Sequence, residues 1–189
     1  MVDDDAEITA SALAAGRGDQ EAATRFVRAT QQYVWRFVAN LVSPAEADDL
    51  TQETYLRAMR SLPSFAARSS ARTWLLGIAR KVTVDHIRAV TRRPRTTHLS
   101  DWHDAPDARG STFDGAVVLD DLLSSLAPDR REAFVATQIL GLSYAETAEV
   151  CGCPVGTIRS RVARAREDLV VAVNANPQPV RRQHGKAAS

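Results

Sequence analysis

Between Thr157 and Arg166 the chain sets Arg159, Ser160, Arg161, Arg164 and Arg166 with no carboxylate among them. Guanidinium groups present forked donors that match the edge of guanine or a phosphate, and hydroxyls donate or accept as needed. A second group, Asp48, Asp49, Gln52 and Glu53, offers carboxylates at helical spacing. A third, Arg72, Trp74, Arg80, Lys81 and Arg88, mixes cations with an indole. That mixture can hold a single nucleic-acid strand by phosphate contacts and base stacking. Cys151 sits in a turn with no histidine near it to activate a thiol, and His98 and His103 match no standard zinc spacing with Cys151 and Cys153. There is no glycine-rich phosphate loop and no Gly-x-Ser-x-Gly elbow. The expectation is a protein without catalytic residues, metal or cofactor.

The arginine group needs a scaffold, and the sequence supplies one. Ser143, with Glu146 three residues on, forms a capping box for a short helix that stops at Cys151-Gly152. Pro154 cannot continue it. A second helix opens at Gly156-Thr157, and its Ile158, Val162, Ala165, Leu169 and Val173 make an apolar stripe at helical spacing. Thr157, Arg159, Ser160 and Arg164 lie across from that stripe, with Arg161 and Arg166 on its flanks. An apolar back, an arginine and hydroxyl front, and a short preceding helix with a tight turn describe a helix-turn-helix. A solvated basic face is the plainer alternative. Four arginines without an interleaved acid, placed in the first turns of the helix, favour DNA.

The other two groups are less decisive. Residues 45–61 read as a helix with its acids first and Arg57 and Arg60 last, an order that the helix dipole alone explains. From electrostatics alone, capping and solubility outweigh docking to a basic partner. Residues 71–90 read as another helix, with Trp74, Leu75, Ile78, Val82 and Ile87 inward and Arg72, Arg80, Lys81, Asp85 and Arg88 outward. Strand binding and a solvated face are there equally balanced.

All the remaining patterns are helical as well. Phe26, Ala29, Thr30, Tyr33, Val34, Phe37, Val38 and Leu41 form one stripe, with Asp19 as its cap. Val118, Leu119, Leu122, Leu123 and Leu126 form another, and Pro128 starts a helix that Gly141 ends. Residues 92–115 lose all periodicity and read as a linker. The expected fold is all-α, with two small helical domains over residues 6–91 and 116–173, the second a helix-turn-helix, and a tail over 174–189. The formal net charge is only +1, but it is unevenly spread. Residues 1–56 carry ten acids and four bases, whereas 57–95 carry ten bases and one acid, which points to one surface for a basic partner and another for phosphate. The acidic N-terminus lacks a secretory core and no run of about eighteen apolar residues could span a membrane. A cytoplasmic protein without a membrane partner is expected.

Taken in order and spacing, these segments resemble the extracytoplasmic-function sigma factors, the small two-domain members of the sigma-70 family. Ala47-Asp48-Asp49-Leu50-Thr51-Gln52-Glu53-Thr54 is similar to their polymerase-docking segment. Pro63-x-Phe65 followed by Arg72-Thr73-Trp74-Leu75-Leu76-x-Ile78-Ala79 is similar to their promoter-melting segment. Leu126-x-Pro128, Gly141-Leu142-Ser143-Tyr144 and Cys153 through Arg161 resemble their C-terminal domain. Within the family, Arg68–Leu76 and Cys151–Arg166 are worded like the mycobacterial sigma-C subgroup.

The resemblance implies partners and roles that the residues alone leave open. Asp48, Asp49, Gln52 and Glu53 would face the β′ clamp helices of core RNA polymerase, with the β flap a further contact and an anti-sigma factor a further partner. The loop Ser64–Ser70, with Phe65, Arg68 and Ser69, would receive a base flipped from the minus-ten element. Arg72, Arg80, Lys81 and Arg88 would hold the strand, and Trp74 would pack beneath the loop. Thr157, Arg159, Ser160, Arg161 and Arg164 would meet the minus-35 element. Lys81 departs from the family pattern, where many members have Asn. An ammonium only donates, so base preference there would change while phosphate attraction rises. A repressor or activator working without polymerase is the rival reading, and run-off transcription with core polymerase separates the two.

Overall fold

The computed structural model describes residues 2–92 and 114–175, and eight α-helices carry these segments. They are α1 (Val2–Gly16), α2 (Gln20–Ala39), α3 (Pro44–Ser61), α4 (Ala71–Arg92), α5 (Asp114–Ser124), α6 (Pro128–Phe134), α7 (Tyr144–Cys151) and α8 (Val155–Ala175). No strand occurs among the described residues. Most of the expected linker, both of its histidines and most of the tail lie outside them.

Local chemistry sets the helix ends. Ala22 N–H donates to Asp19 Oδ1 at 2.9 Å, the expected cap of α2. At the start of α3, Ser43 Oγ donates to Glu46 Oε2 at 2.7 Å and Pro44 takes the first turn, where its missing N–H costs nothing. The Ser43 hydroxyl, followed by His86 Nε2 at 2.7 Å, holds the Glu46 carboxyl below its ordinary range.

α1 to α4 form one bundle, closed over Phe26, Phe37, Val38, Leu75 and Leu76. The α2 stripe faces inward as its period requires, apart from Ala29, which is exposed. Thr30 and Tyr55 share a hydrogen bond of 2.8 Å inside this bundle, and burial pushes the Tyr55 hydroxyl up to about 12. In the second half, Pro128 opens α6 as expected, and α6 runs on into a single π turn, Val135–Ile139, where Leu140 N–H donates back to Val135 O at 3.0 Å. Gly141, at φ 74°, then ends the segment.

Three apolar positions expected inside are outside. Leu119 is 48% exposed, Val173 is 52% exposed, and Ile87 also faces solvent. Periodicity marks a face, and only a neighbour buries it. α4 packs on α7, so the halves touch in this structure. There Arg80 pairs with the buried Glu132, and Arg131 Nε donates to Asn40 O.

Candidate nucleic-acid interface

α7 and α8 are built as the sequence required. Ser143 Oγ accepts from Glu146 N–H at 3.2 Å while Ser143 N–H donates to Glu146 Oε2 at 2.8 Å, a reciprocal capping box. Gly152 closes α7 in the left-handed region, at φ 63° and ψ 41°, which a side chain would strain. Pro154 O then accepts from Thr157 and Ile158, and α8 begins. Ile158, Val162 and Ala165 are fully buried, the first two beside Ala133, Ala148 and Cys151. Burying that row fixes the rotation of α8 about its axis.

With the rotation fixed, Arg159, Ser160 and Arg164 stand in solvent and Thr157 is half-buried. Ser160 Oγ donates to Thr157 O at 2.9 Å, which leaves its lone pairs outward. Arg166 Nη2 donates to Gln138 Oε1 at 2.9 Å. Arg161 differs from the others. Its Nε lies 3.1 Å from Asp129 and its Nη1 3.7 Å from Cys153 Sγ, and its side chain is only 24% exposed. The fold already uses that guanidinium.

In the first bundle the loop between α3 and α4 begins with a 3-10 turn, Leu62–Ser64. Phe65 tilts onto Trp74, ring centroids 4.8 Å apart, so the indole packs beneath the loop. Ser64, Ala66, Ala67 and Arg68 are exposed, and Ala67 holds φ at 49°. Ser70 Oγ accepts from Thr73 N–H at 3.1 Å and caps α4, which half-buries both Ser69 and Ser70.

Arg72, expected outward, turns inward. It is 6% exposed, its Nη2 lies 3.0 Å from Asp4 and 3.1 Å from Asp5, and its guanidinium sits 4.2 Å above the Tyr33 ring. The first turn of α4 aims that position at α1 and α2, where two carboxylates and a ring face offset the buried charge, although Arg72 Nε has no hydrogen-bond partner among the described residues. Lys81 and Arg88 are exposed on α4, as expected. Arg80, also expected outward, is half-buried against Glu132. Burial pushes the Glu132 carboxyl up, against the pull of that guanidinium.

On α3, Asp48, Asp49 and Gln52 are exposed, and Glu53 is half-buried because Arg57 Nε donates to it at 2.7 Å. Trp35 escaped the sequence reading. Its Nε1–H donates to Asp48 Oδ1 at 2.7 Å, so an indole from α2 fixes a carboxylate on the acidic face. The available signal was an aromatic standing off the apolar stripe of its own helix.

Comparisons with known proteins meet this geometry on the same segments. The family model described as sigma-70 region 2 matches residues 26–93, and that of sigma-70 region 4 matches residues 116–169. The ECF RNA polymerase sigma factor SigC of Mycobacterium tuberculosis is 56% identical over 173 residues, which covers 88% of this chain and 91% of that protein. The chain belongs to the extracytoplasmic-function sigma factors. A second relative in the family, the sigma-E factor of Haemophilus influenzae, is 33% identical over 165 residues, 80% of this chain and 87% of its own. The sigma factor RpoE of Bartonella quintana, solved with the anti-sigma factor NepR, superposes with a TM-score of 0.66 at 28% identity, over 81% of this chain and 97% of that one. This sigma factor therefore carries regions 2 and 4 in family order, and it directs promoter-specific initiation with core RNA polymerase. No helix among its described residues is long and apolar enough to cross a membrane.

Proposed function

We propose that the two halves of this sigma factor divide promoter recognition as their surfaces divide. α8 reads the minus-35 duplex through Arg159, Ser160 and Arg164, with Thr157 at the edge. The loop Ser64–Ser70 captures a base extruded from the minus-ten element, while Arg68, Lys81 and Arg88 hold the phosphates of that strand. Arg72, Arg80 and Arg161 support these surfaces from within. Asp48, Asp49 and Gln52, with Glu53 at the rim, dock on the basic β′ clamp helices, and the second half, residues 116–173, meets the β flap. An anti-sigma factor is a further partner, as NepR is for the Bartonella protein.

The observation that carries this reading is the fixed rotation of α8. Three fully buried residues lock its back, so two arginines without an ion-pair partner among the described residues and a hydroxyl point outward in the first turns. Extruding a base costs a few kcal/mol, least at flexible steps, and contacts to the freed strand must offset that cost. The protein makes no bonds in this scheme; it binds the opened promoter better than the closed one. Run-off transcription with purified core polymerase tests it. The sigma factor should give one specific start on a promoter with both elements, and loss of that start on scrambling the minus-35 element in wild type only, not in Arg159→Ala. Initiation indifferent to both elements would refute the division.

A further inference from the structure

The loop proposed to receive the base has no local anchor in its middle, Ala66 to Arg68. Ser64 and Ser70 are tied at its two ends and Phe65 is seated on Trp74, but Ala66, Ala67 and Arg68 between them stand in solvent. Yet Ala67 is left-handed, a conformation that non-glycine residues keep when their surroundings impose it. The constraint comes from both ends of the loop, and α1 touches both.

At the start of the loop, Gly16 lies so close that a Cβ there would sit 2.6 Å from Leu62 O. At its end, Thr9 Oγ1 accepts from Ala71 N–H at 3.0 Å. That N–H is one of the orphan donors in the first turn of α4. The Thr9 hydroxyl proton is in turn committed to Asp5 O at 2.8 Å, which fixes the direction of its lone pair. One residue on, Arg72 ties the same turn to Asp4 and Asp5. Thr9 and Gly16 stand seven residues apart in one helix, a separation of roughly 10 Å along its axis. The two ends of the loop are therefore gauged against a single rigid rod.

The geometry points to α1 as a brace that sets the span of the base-receiving loop, with Thr9 and Gly16 as positioning residues for promoter opening. The inference rests on the base-capture reading. Capture of one nucleotide needs a preformed pocket, and a slack loop would meet the strand without gripping the base.

The test uses the full-length protein on core polymerase, with the non-template strand of a promoter that this holoenzyme opens and single abasic nucleotides scanned across the minus-ten element. Wild type should lose about tenfold or more in affinity at the captured position, the scale of one stacked base. Thr9→Val keeps the volume but cannot accept the hydrogen bond, so it should lose no more than about twofold there because the base is no longer gripped. Its affinity for core polymerase should stay unchanged, and Thr9→Ser should restore the full penalty. Gly16→Ala, which presses on the Leu62 carbonyl from the other end, should behave as Thr9→Val does and serves in its place if that variant fails to fold. A merely structural role would lower the melting temperature while leaving the penalty at the captured position intact, and that result overturns the inference. A wild-type scan with no sensitive position removes the loop reading itself, and this inference with it.

Discussion

Arg159 and Arg161 are two residues apart, and the structure separates their roles. Arg159 is exposed and has no ion-pair partner among the described residues, so its removal should change stability by no more than about 0.5 kcal/mol. In the proposed complex it loses a forked contact to a base edge, worth about 1–3 kcal/mol, or roughly 5- to 150-fold in affinity. Arg161 pairs with Asp129, side chains 24% and 54% exposed, a contact worth at most about 1 kcal/mol of folding stability. Arg161→Ala should therefore lower the melting temperature and leave base discrimination in place. The assay is fluorescence anisotropy of holoenzyme on duplexes with an intact or a scrambled minus-35 element, alongside thermal melts of the free variants. Arg159→Ala should bring the two duplexes close together; Arg161→Ala should not. The opposite pattern would refute the reasoning, because the two side chains lie roughly 160° apart around the helix axis. The groove-facing side would then be the one described above as the flank buried against Asp129.

Asp48→Arg combined with Asp49→Arg should abolish capture of core polymerase while circular dichroism stays native, since both side chains are exposed. Retained capture would remove the docking role of α3. Ser143→Ala breaks the capping box of α7 and should cost about 1 kcal/mol, read by chemical denaturation. Burial, followed by the negative charge of Glu132, pushes the Cys151 thiol up to about 12. Native Cys153→Ala should therefore resist iodoacetamide near pH 8 and react fully once denatured. Glu46 is held below the ordinary glutamate value of 4.5, so its contribution to stability is present above that value and is lost as pH falls through the lower folded value. Glu46→Gln should flatten that part of the acid limb of the stability profile.

What the sequence disclosed and what it hid divide along a physical line. The capping box at Ser143, the cap at Asp19, the proline start of α6 and the buried row of α8 all depend on neighbours within a few residues, and spacing reveals such neighbours. The inward turn of Arg72 depends on Asp4 and Asp5, almost seventy residues away, and the engagement of Arg80 depends on Glu132 in the other half. Periodicity places both arginines on a helix without saying what faces them. Leu119, Val173 and Ile87 fail in the opposite sense, as apolar positions that the pattern marks and the fold leaves exposed. The brace formed by α1 was hidden for a further reason: Thr9 and Gly16 act through a hydroxyl and an absent side chain, neither of which a hydrophobic pattern registers.

The inward turn of Arg72 also bears on how the protein responds to ionic strength. Each phosphate neutralised on a duplex releases condensed counterions and steepens the dependence of affinity on salt by about 0.9, or about 0.7 on a single strand. A tally of positive residues over 57–95 would credit this region with a steep response. Arg72 already has two carboxylates as its counterions, and Arg57 is shared between Glu53 and Asp85. Paired in this way, neither is counted among the phosphate contacts proposed above. On the proposed reading, the phosphate grip of the described part of this region rests on the exposed Arg68, Lys81 and Arg88, and its salt response is shallower than a tally of charges implies.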